Sequence, residues 1–176
     1  MPSRPRASEA TFERLYDAHR REVFRWALRF GGGRATWAED VTHDAFMKLW
    51  QHLSRVDTET DVGGWLYRVT ANLALSRLRR DRSFTSLVTR FFTDEEEAAE
   101  SADVEVTLKE EARAALEALR ALPPREAMVL TMKVMDGKSQ REIAEALSMS
   151  EGYVSKLAAR GWDRLRAAGW EVPDAA

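Results

Sequence analysis

The chain has 176 residues, of which 44% are hydrophobic and 32% are charged, and its net charge is −2. This composition is that of a soluble globular protein, and no apolar run approaches the roughly 18 residues that a membrane span requires. Arginines near the N-terminus have no apolar segment behind them, which argues against a secretory signal. Cysteine is absent, so disulfides and thiolate metal ligands are excluded, and we expect a cytoplasmic protein.

The charges are unevenly distributed along the chain. Residues 1–90 contain 16 Lys and Arg against 11 Asp and Glu, whereas residues 91–106 contain seven acidic residues and no basic one. The acidic stretch has too little apolar mass to offset its ordering entropy by burial, so we interpret it as a solvated linker. Alternatively, it could lie in a basic channel of a partner. The basic blocks on either side attract phosphate locally, whatever the overall charge.

Three helices are predicted before the linker. Apolar residues recur at spacings of three and four over residues 12–30, and three consecutive glycines then end the first helix. Thr36 and Glu39 stand in the relation of a capping box and predict the start of the second helix, which extends to Leu53. The third covers residues 65–80. No segment shows sustained strand alternation, so we predict an all-α fold.

Shorter helices are predicted after the linker. Thr107 and Glu110 form a second predicted capping box, and two prolines end the helix that they start. Pro124 can open the next helix because a proline in the first turn loses no helical hydrogen bond. Ser139 with Glu142 then predicts a third capping box, at the start of a short helix.

The last two predicted helices form a helix-turn-helix. Ser150 can cap the final helix, whose outward residues include a basic pair four apart, so that this helix is suited to a major groove. The candidate contact residues on it are Tyr153, Ser155, Lys156 and Arg160. The same geometry is also ordinary helical packing, and the charges could be a solvated surface. Gly161 inside the helix costs on the order of 1 kcal/mol, and the basic face is sparse, so we expect weak DNA binding by this part alone.

Three blocks together resemble the small, two-domain sigma factors of the extracytoplasmic-function group. They are AEDVTHDAFMKLW at 38–50, WLYRVTANLALSRLRR at 65–80 and the terminal helix-turn-helix. The resemblance covers roughly residues 10–168. It implies a sigma domain 2-like bundle that binds core RNA polymerase and opens the minus 10 element, and a sigma domain 4-like helix-turn-helix that reads the minus 35 element. The implied ranges are 10–84 for the first domain, 85–106 for the acidic flexible linker and 107–168 for the second domain.

The resemblance places polymerase docking on the second helix. The matching residues are Asp40, His43, Asp44 and Phe46. Carboxylates on an exposed helix face can pair with basic groups of a partner, although near a helix start they also complement the helix dipole. Asp40 and His43 have a spacing that metal ligands can use, but the remaining histidines supply no ligand pair. We therefore predict no metal, no cofactor and no catalytic residue.

The resemblance places contacts with the opened minus 10 strand on the third helix. The candidates are Trp65, Arg68, Asn72, Arg79 and Arg80, with Tyr67 and Arg77 as further aromatic and basic groups. Amides can read an extruded base, aromatic rings can stack on bases and guanidinium groups can follow phosphates. The loop Val56–Gly64 matches the one that captures the flipped base. Packing alternatives stay open, since Trp65 could be a core residue and Asn72 could bond a neighbouring backbone group.

The predicted function is that of a promoter-specificity subunit that is not an enzyme. Its expected partners are core RNA polymerase, duplex and single-stranded promoter DNA, and an anti-sigma factor or other regulator. Tethering both DNA contacts on polymerase would raise their effective concentration. One alternative is a stand-alone helix-turn-helix regulator that dimerises on paired half-sites. Another is an interaction protein that binds a regulator through the same helices.

Overall fold

The computed structural model describes residues 6–56, 61–91 and 110–172, and these residues form helices with no strand among them. The N-terminal helices are α1 (Arg6–Phe30), α2 (Ala35–His52) and α3 (Val62–Phe91). The C-terminal helices are α4 (Glu110–Ala121), α5 (Pro124–Val134), α6 (Gln140–Leu147) and α7 (Glu151–Ala167). The prediction of an all-α fold is confirmed. No helix within the described ranges has the length and apolar character needed to cross a bilayer.

The glycine turn after α1 lies where the sequence predicts it. Gly32 and Gly33 have φ values of +62° and +87°, which only glycine adopts without strain. Gly31 packs against the indole of Trp37, and a Cβ at this position would collide with that ring. The turn therefore both ends α1 and brings α2 close to it.

The predicted capping box at the start of α2 is wrong. Thr36 lies inside the first turn, and the N-cap residue is Arg34, whose side chain makes no capping hydrogen bond. Instead, the guanidinium of Arg34 lies 5.0 Å from the centroid of the Trp37 ring, and its Nε donates to the carbonyl of Gly31 at 3.0 Å. Packing across the turn thus fixes the helix start that the sequence assigned to a local cap.

Helix α3 is longer than predicted at both ends. Asp61 precedes it and accepts a hydrogen bond from the backbone N–H of Gly64 at 3.0 Å, so the pair of glycines expected in a loop forms the first turn. At the other end, the helix continues to Phe91, through the first residues of the segment expected to be a linker. Residues 92–106 of that segment, and the predicted cap at Thr107, lie outside the described residues.

The caps of the helix-turn-helix are confirmed. The Ser139 hydroxyl accepts from the N–H of Glu142 while the Glu142 carboxylate accepts from the N–H of Ser139, and Ser150 caps α7. Pro124 occupies the first turn of α5 as predicted. Between α6 and α7 the chain turns through Ser148, at φ +53°.

The two halves of the protein share buried apolar contacts. One core cluster lies within α1, α2 and α3 and includes Leu15, Val23, Ala45, Phe46, Leu49 and Leu66. A second, larger cluster combines residues of both halves, among them Phe30, Tyr67, Ala71, Met128, Ile143 and Ala146. Trp170, which follows α7, is partly buried against this cluster. The C-terminal helices therefore pack directly on the N-terminal ones.

Candidate nucleic-acid and polymerase interfaces

The predicted docking residues on α2 divide between its two faces. Asp40, His43 and Asp44 are exposed, with 54% and 50% of the two aspartate side chains accessible. Phe46 is only 3% exposed, and its ring centroid lies 4.7 Å from that of Tyr16. The structure thus brings three of the four residues to one surface, whereas Phe46 supports α2 from beneath.

A basic residue on α3 already contacts this surface. One Nη of Arg77 lies 2.6 Å from Asp40 Oδ2, and the other lies 3.6 Å from Asp44 Oδ2. Arg77 was predicted to contact phosphates. Its pairing with two carboxylates 33 and 37 residues earlier in the chain has no local signal in the sequence. A basic group of a partner must compete with Arg77 for these carboxylates.

An open groove of about 580 Å³ runs between α2 and α3. It is lined by Lys48, His52, Trp65, Arg68, Val69, Asn72, Leu73 and Ser76. Three of the five predicted minus 10 residues therefore come together, because residues three and four apart share one face of α3. Lys48, His52 and Ser76 also line the groove and were not predicted to do so. Lys48 and His52 are one turn apart on α2, and both can contact phosphates or base edges.

The side chains that line this groove also make internal contacts. Trp65 is half-buried against the smaller core cluster, and its ring centroid lies 6.4 Å from that of His52. Asn72 donates two hydrogen bonds from Nδ2, to the carbonyl of Arg68 at 2.8 Å and to that of Ala146 at 2.7 Å. Both packing alternatives from the sequence are thus observed, and Trp65 is a core contact and a groove wall at once.

The remaining aromatic and basic candidates of α3 lie elsewhere. Arg79 and Arg80 are exposed, beyond the groove-lining residues. Tyr67 is 7% exposed, with its ring packed edge-on against Trp26, so its faces are not free to stack on a base. Burial, and then the hydrogen bond to the Asp136 carboxylate, raise the pKa of the Tyr67 phenol far above its ordinary value.

Helix α7 presents its predicted contact residues on one exposed arc. Ser155, Lys156 and Arg160 are exposed and Tyr153 is partly buried. The opposite face is buried through Val154, Leu157, Ala158, Gly161 and Leu165. At Gly161 the backbone approaches α5 so closely that an added Cβ would lie 2.8 Å from a methyl group of Leu130. The glycine that costs helix propensity therefore permits the close packing of α5 and α7.

Two further contacts hold α7 in place, and neither was predicted. Arg125 of α5 donates from Nη1 to the Tyr153 hydroxyl at 3.2 Å, with its guanidinium 5.9 Å from the ring centroid. Gln140 of α6 donates from Nε2 to the carbonyl of Glu151 at 3.1 Å. Arg125 thereby adds a cation beside the exposed arc, and Gln140 ties the two helices of the helix-turn-helix together.

The capping box also sets the charge at the start of α6. The backbone N–H of Ser139, then its hydroxyl and then Lys138, all bond the Glu142 carboxylate and lower its pKa from 4.5 to about 2. Glu142 is therefore ionised throughout the physiological range. Within the described ranges, no group of three or more His, Asp or Glu residues is arranged to hold a metal ion.

Comparison with known proteins identifies the family. Residues 15–84 match sigma-70 region 2, and residues 112–165 match sigma-70 region 4. The chain is 31% identical over 162 residues to the ECF RNA polymerase sigma factor BldN of Streptomyces coelicolor, covering 89% of this chain and 60% of that protein. It is 33% identical over 156 residues to SigL of Mycobacterium tuberculosis, covering 84% of this chain and 83% of that protein.

A solved structure shares the fold. The sigma factor RpoE of Bartonella quintana, crystallised with the anti-sigma factor NepR, superimposes with a TM-score of 0.60 at 16% identity, over 89% of this chain and 94% of that one. Such a likeness establishes the arrangement of helices alone. The matches to both sigma regions and the 33% identity to SigL show that the chain belongs to the ECF sigma factors of RNA polymerase.

Proposed function

We propose that the protein is a promoter-specificity subunit that directs core RNA polymerase to promoters with defined minus 35 and minus 10 elements. The observation that carries the proposal is that one chain contains both sigma regions and that each presents a distinct surface. The protein acts by binding, as a non-enzymatic cytoplasmic factor without a cofactor. Its first domain corresponds to residues 10–84 and its second to residues 107–168. The acidic linker between them is shorter than the predicted 85–106, because α3 extends to Phe91.

Polymerase binding is assigned to the exposed side of α2. Asp40 and Asp44 offer carboxylates one helical turn apart, and His43 lies between them on the same surface. Exposed acidic groups of this kind accelerate and orient association with a basic surface more than they add affinity. Phe46 contributes by holding the exposed side of α2 in place through its packing with Tyr16.

The opened minus 10 strand is assigned to the groove between α2 and α3. Lys48 and Arg68 supply positive charge at its walls, Trp65 supplies an aromatic edge, and Asn72 supplies an amide that can read a base. Arg79 and Arg80 extend the basic surface along α3 toward the flanking phosphates. The groove is open, as a site for an extended single strand must be.

The minus 35 duplex is assigned to the exposed arc of α7. Lys156 and Arg160 contact the phosphates or base edges of a major groove, with Tyr153 and Ser155 beside them. Because the basic residues are few, the affinity of this arc alone is low. Polymerase raises the effective concentration of both DNA contacts by holding them at once. An anti-sigma factor is a further expected partner, as for the Bartonella protein.

Reconstituted transcription tests the proposal. Core polymerase and a genomic fragment library are incubated with or without the protein, and RNA 5′ ends are mapped. We expect start sites that depend on the protein and share two upstream sequence elements. The double variant Asp40→Asn, Asp44→Asn should lose most of these starts, whereas Glu145→Gln, at an exposed carboxylate of α6 paired with Arg141, should retain them. No protein-dependent start on any fragment would refute the proposal.

The alternative of a stand-alone regulator is not supported, because the chain matches both sigma regions and is 33% identical to an ECF sigma factor. Size-exclusion chromatography with a duplex library separates the two functions. A stable dimer that selects paired half-sites without polymerase would favour the regulator.

A further inference from the structure

A histidine with accessible ring nitrogens lines the groove between α2 and α3. His52 is the last residue of α2 and is half-buried, and its side chain makes no hydrogen bond or ion pair with another residue of the described ranges. Neither of its ring nitrogens is buried without a partner, so both can be reached from the solvent. Its ring centroid lies 6.4 Å from that of Trp65, with 59° between the ring planes. The indole thus supports an imidazole whose polar atoms are free to bind a ligand.

The other charged groups that line the groove are cations. Lys48 lies one turn before His52 on α2, and Arg68 contributes a guanidinium from α3. No Asp or Glu is among the described residues that line the groove. The carboxylate of Asp44, one turn before Lys48, lies 3.6 Å from an Nη of Arg77, and neither of these two residues lines the groove. A positive charge on the imidazole therefore has no anion in the groove to pair with until a ligand supplies one.

Charged and titratable groups of the neighbouring segments lie outside the groove lining. On α1, His19 approaches the start of α3, where a Cβ added to Gly63 would lie 3.9 Å from its Cε1. Asp61 accepts a hydrogen bond from the N–H of Gly64 at 3.0 Å and thereby caps the first turn of α3. Arg55 is exposed and follows the end of α2 within one turn. Since none of these groups lines the groove, the phosphates of a bound strand are the anions that the groove would receive.

We propose that His52 contacts a phosphate of the single strand as an imidazolium, so that strand binding in the groove takes up one proton from the solvent. Histidine is the side chain whose charge ordinarily changes between about pH 5 and pH 8. In the complex, the ring nitrogen that lacks a hydrogen gains the proton, and an N–H of the charged ring then donates to a phosphate oxygen. The proposal rests on the assignment of the minus 10 strand to this groove and adds a residue and a proton to it.

Lower pH should strengthen strand binding. Because the complex holds one more proton at His52 than the free protein does, a fall in pH favours the complex until the imidazole is charged in both states. Each phosphate that a cation neutralises on a single strand adds about 0.7 to the magnitude of the slope of log affinity against log salt. The charged imidazole supplies one such contact, so the slope should be steeper at low pH than at high pH.

Binding of a fluorescent pool of random 12-nucleotide single strands tests the proton uptake. Affinity is measured at pH 8 and at pH 6, each over a series of salt concentrations. We expect the parent to bind about three- to tenfold more tightly at pH 6, with a slope larger in magnitude by about 0.7. His52→Gln has a polar side chain that does not titrate, so at both pH values it should bind as the parent does at pH 8. His52→Arg carries a permanent charge and should show the steeper slope at both pH values.

His19→Gln is the matched control, since it removes a histidine of the same half that does not line the groove. It should keep the full pH response of the parent. Circular dichroism shows which variants are folded, and either of the two His52 variants is sufficient for the comparison. A pH response that persists in a folded His52 variant overturns the proton uptake at His52.

The remaining outcomes separate the proton uptake from the function of the groove. A parent that binds the pool equally at both pH values overturns the proton uptake and leaves the groove as the strand site. A loss of affinity in His52→Gln that is the same at pH 6 and pH 8 would show that the neutral imidazole makes the contact, which also overturns it. Absence of binding by the parent at both pH values would overturn the assignment of the strand to the groove as well.

Discussion

The groove between α2 and α3 and the exposed arc of α7 differ in whether the polar side chains predicted to contact DNA already have partners within the protein. In the groove, the Asn72 amide donates hydrogen bonds to two carbonyls. Arg77, also on α3, pairs with the carboxylates of α2. On α7, the side chains of Lys156 and Arg160 are exposed and make no hydrogen bond or ion pair with another residue of the described ranges. The Asn72 amide would have to leave two carbonyls before it could donate to a base, whereas the two basic side chains of α7 have no internal partner to leave.

The difference follows from how each surface is built. The arc of α7 depends on short-range features, namely the Ser150 cap, the capping box of α6 and the tie from Gln140. These persist wherever the C-terminal helices are placed. The groove depends on the packing of α2 against α3, and its Asn72 side chain also bonds α6, so it is built from residues far apart in the chain. The arc is thus set by local sequence, whereas the groove is set by tertiary packing.

The largest expected effect comes from Asn72→Ala. Loss of an amide contact to a base costs about 1–3 kcal/mol, so open-complex formation by the holoenzyme should fall roughly 10- to 100-fold. Permanganate reactivity of unpaired thymines measures the extent of open-complex formation. Gln51→Ala, an exposed amide on α2 that does not line the groove, serves as the control. An increase in opening would mean that the lost bond to Ala146 matters more than the base contact.

A smaller effect is expected from Arg160→Ala on the arc of α7. If Arg160 contacts one phosphate, the slope of log affinity against log salt should decrease in magnitude by about 0.9, measured on minus 35 duplex. Arg166→Ala on the same helix loses an arginine that pairs with Asp163 at 3.0 Å, and it should leave the slope unchanged. Equal slopes for parent and Arg160→Ala would exclude a backbone contact.

The smallest effect concerns the cap that supports the arc. The pKa of Glu142 is lowered to about 2, so its contribution to stability is complete above the ordinary value of 4.5 and is lost as the pH falls toward 2. Thermal melting of the parent and Glu142→Gln from pH 7 to pH 2 should give melting temperatures that converge at low pH. A constant difference in melting temperature across this range would show that ionisation of Glu142 does not contribute to stability. Glu145→Gln serves as the control.

Local rules predicted the features that depend on neighbours in the chain. The cap at Ser139, the proline start of α5 and the helix stop after Phe30 each follow from residues within one turn. The burial of Phe46 could also have been read from its position three residues before Leu49 on the core side of α2. Because Phe46 matches the family pattern, it was predicted to be a docking residue instead.

Features that depend on distant residues could not be predicted. Arg77 pairs with Asp40, 37 residues earlier in the chain, and Asn72 bonds a carbonyl 74 residues away. The contacts of Asp136 have no local signal either, since Arg29 lies 107 residues and Tyr67 lies 69 residues before it in the chain. Such contacts arise from the packing of whole helices, which periodicity alone does not determine.

The close approach of α7 to α5 at Gly161 has an evolutionary consequence. Gly161 is buried on the side of α7 opposite the basic arc, so a larger residue there would tilt or lift the whole helix away from Leu130. Every residue on the arc would move with it. Promoter preference can therefore drift through a substitution in the interior, with all candidate DNA-contacting side chains unchanged.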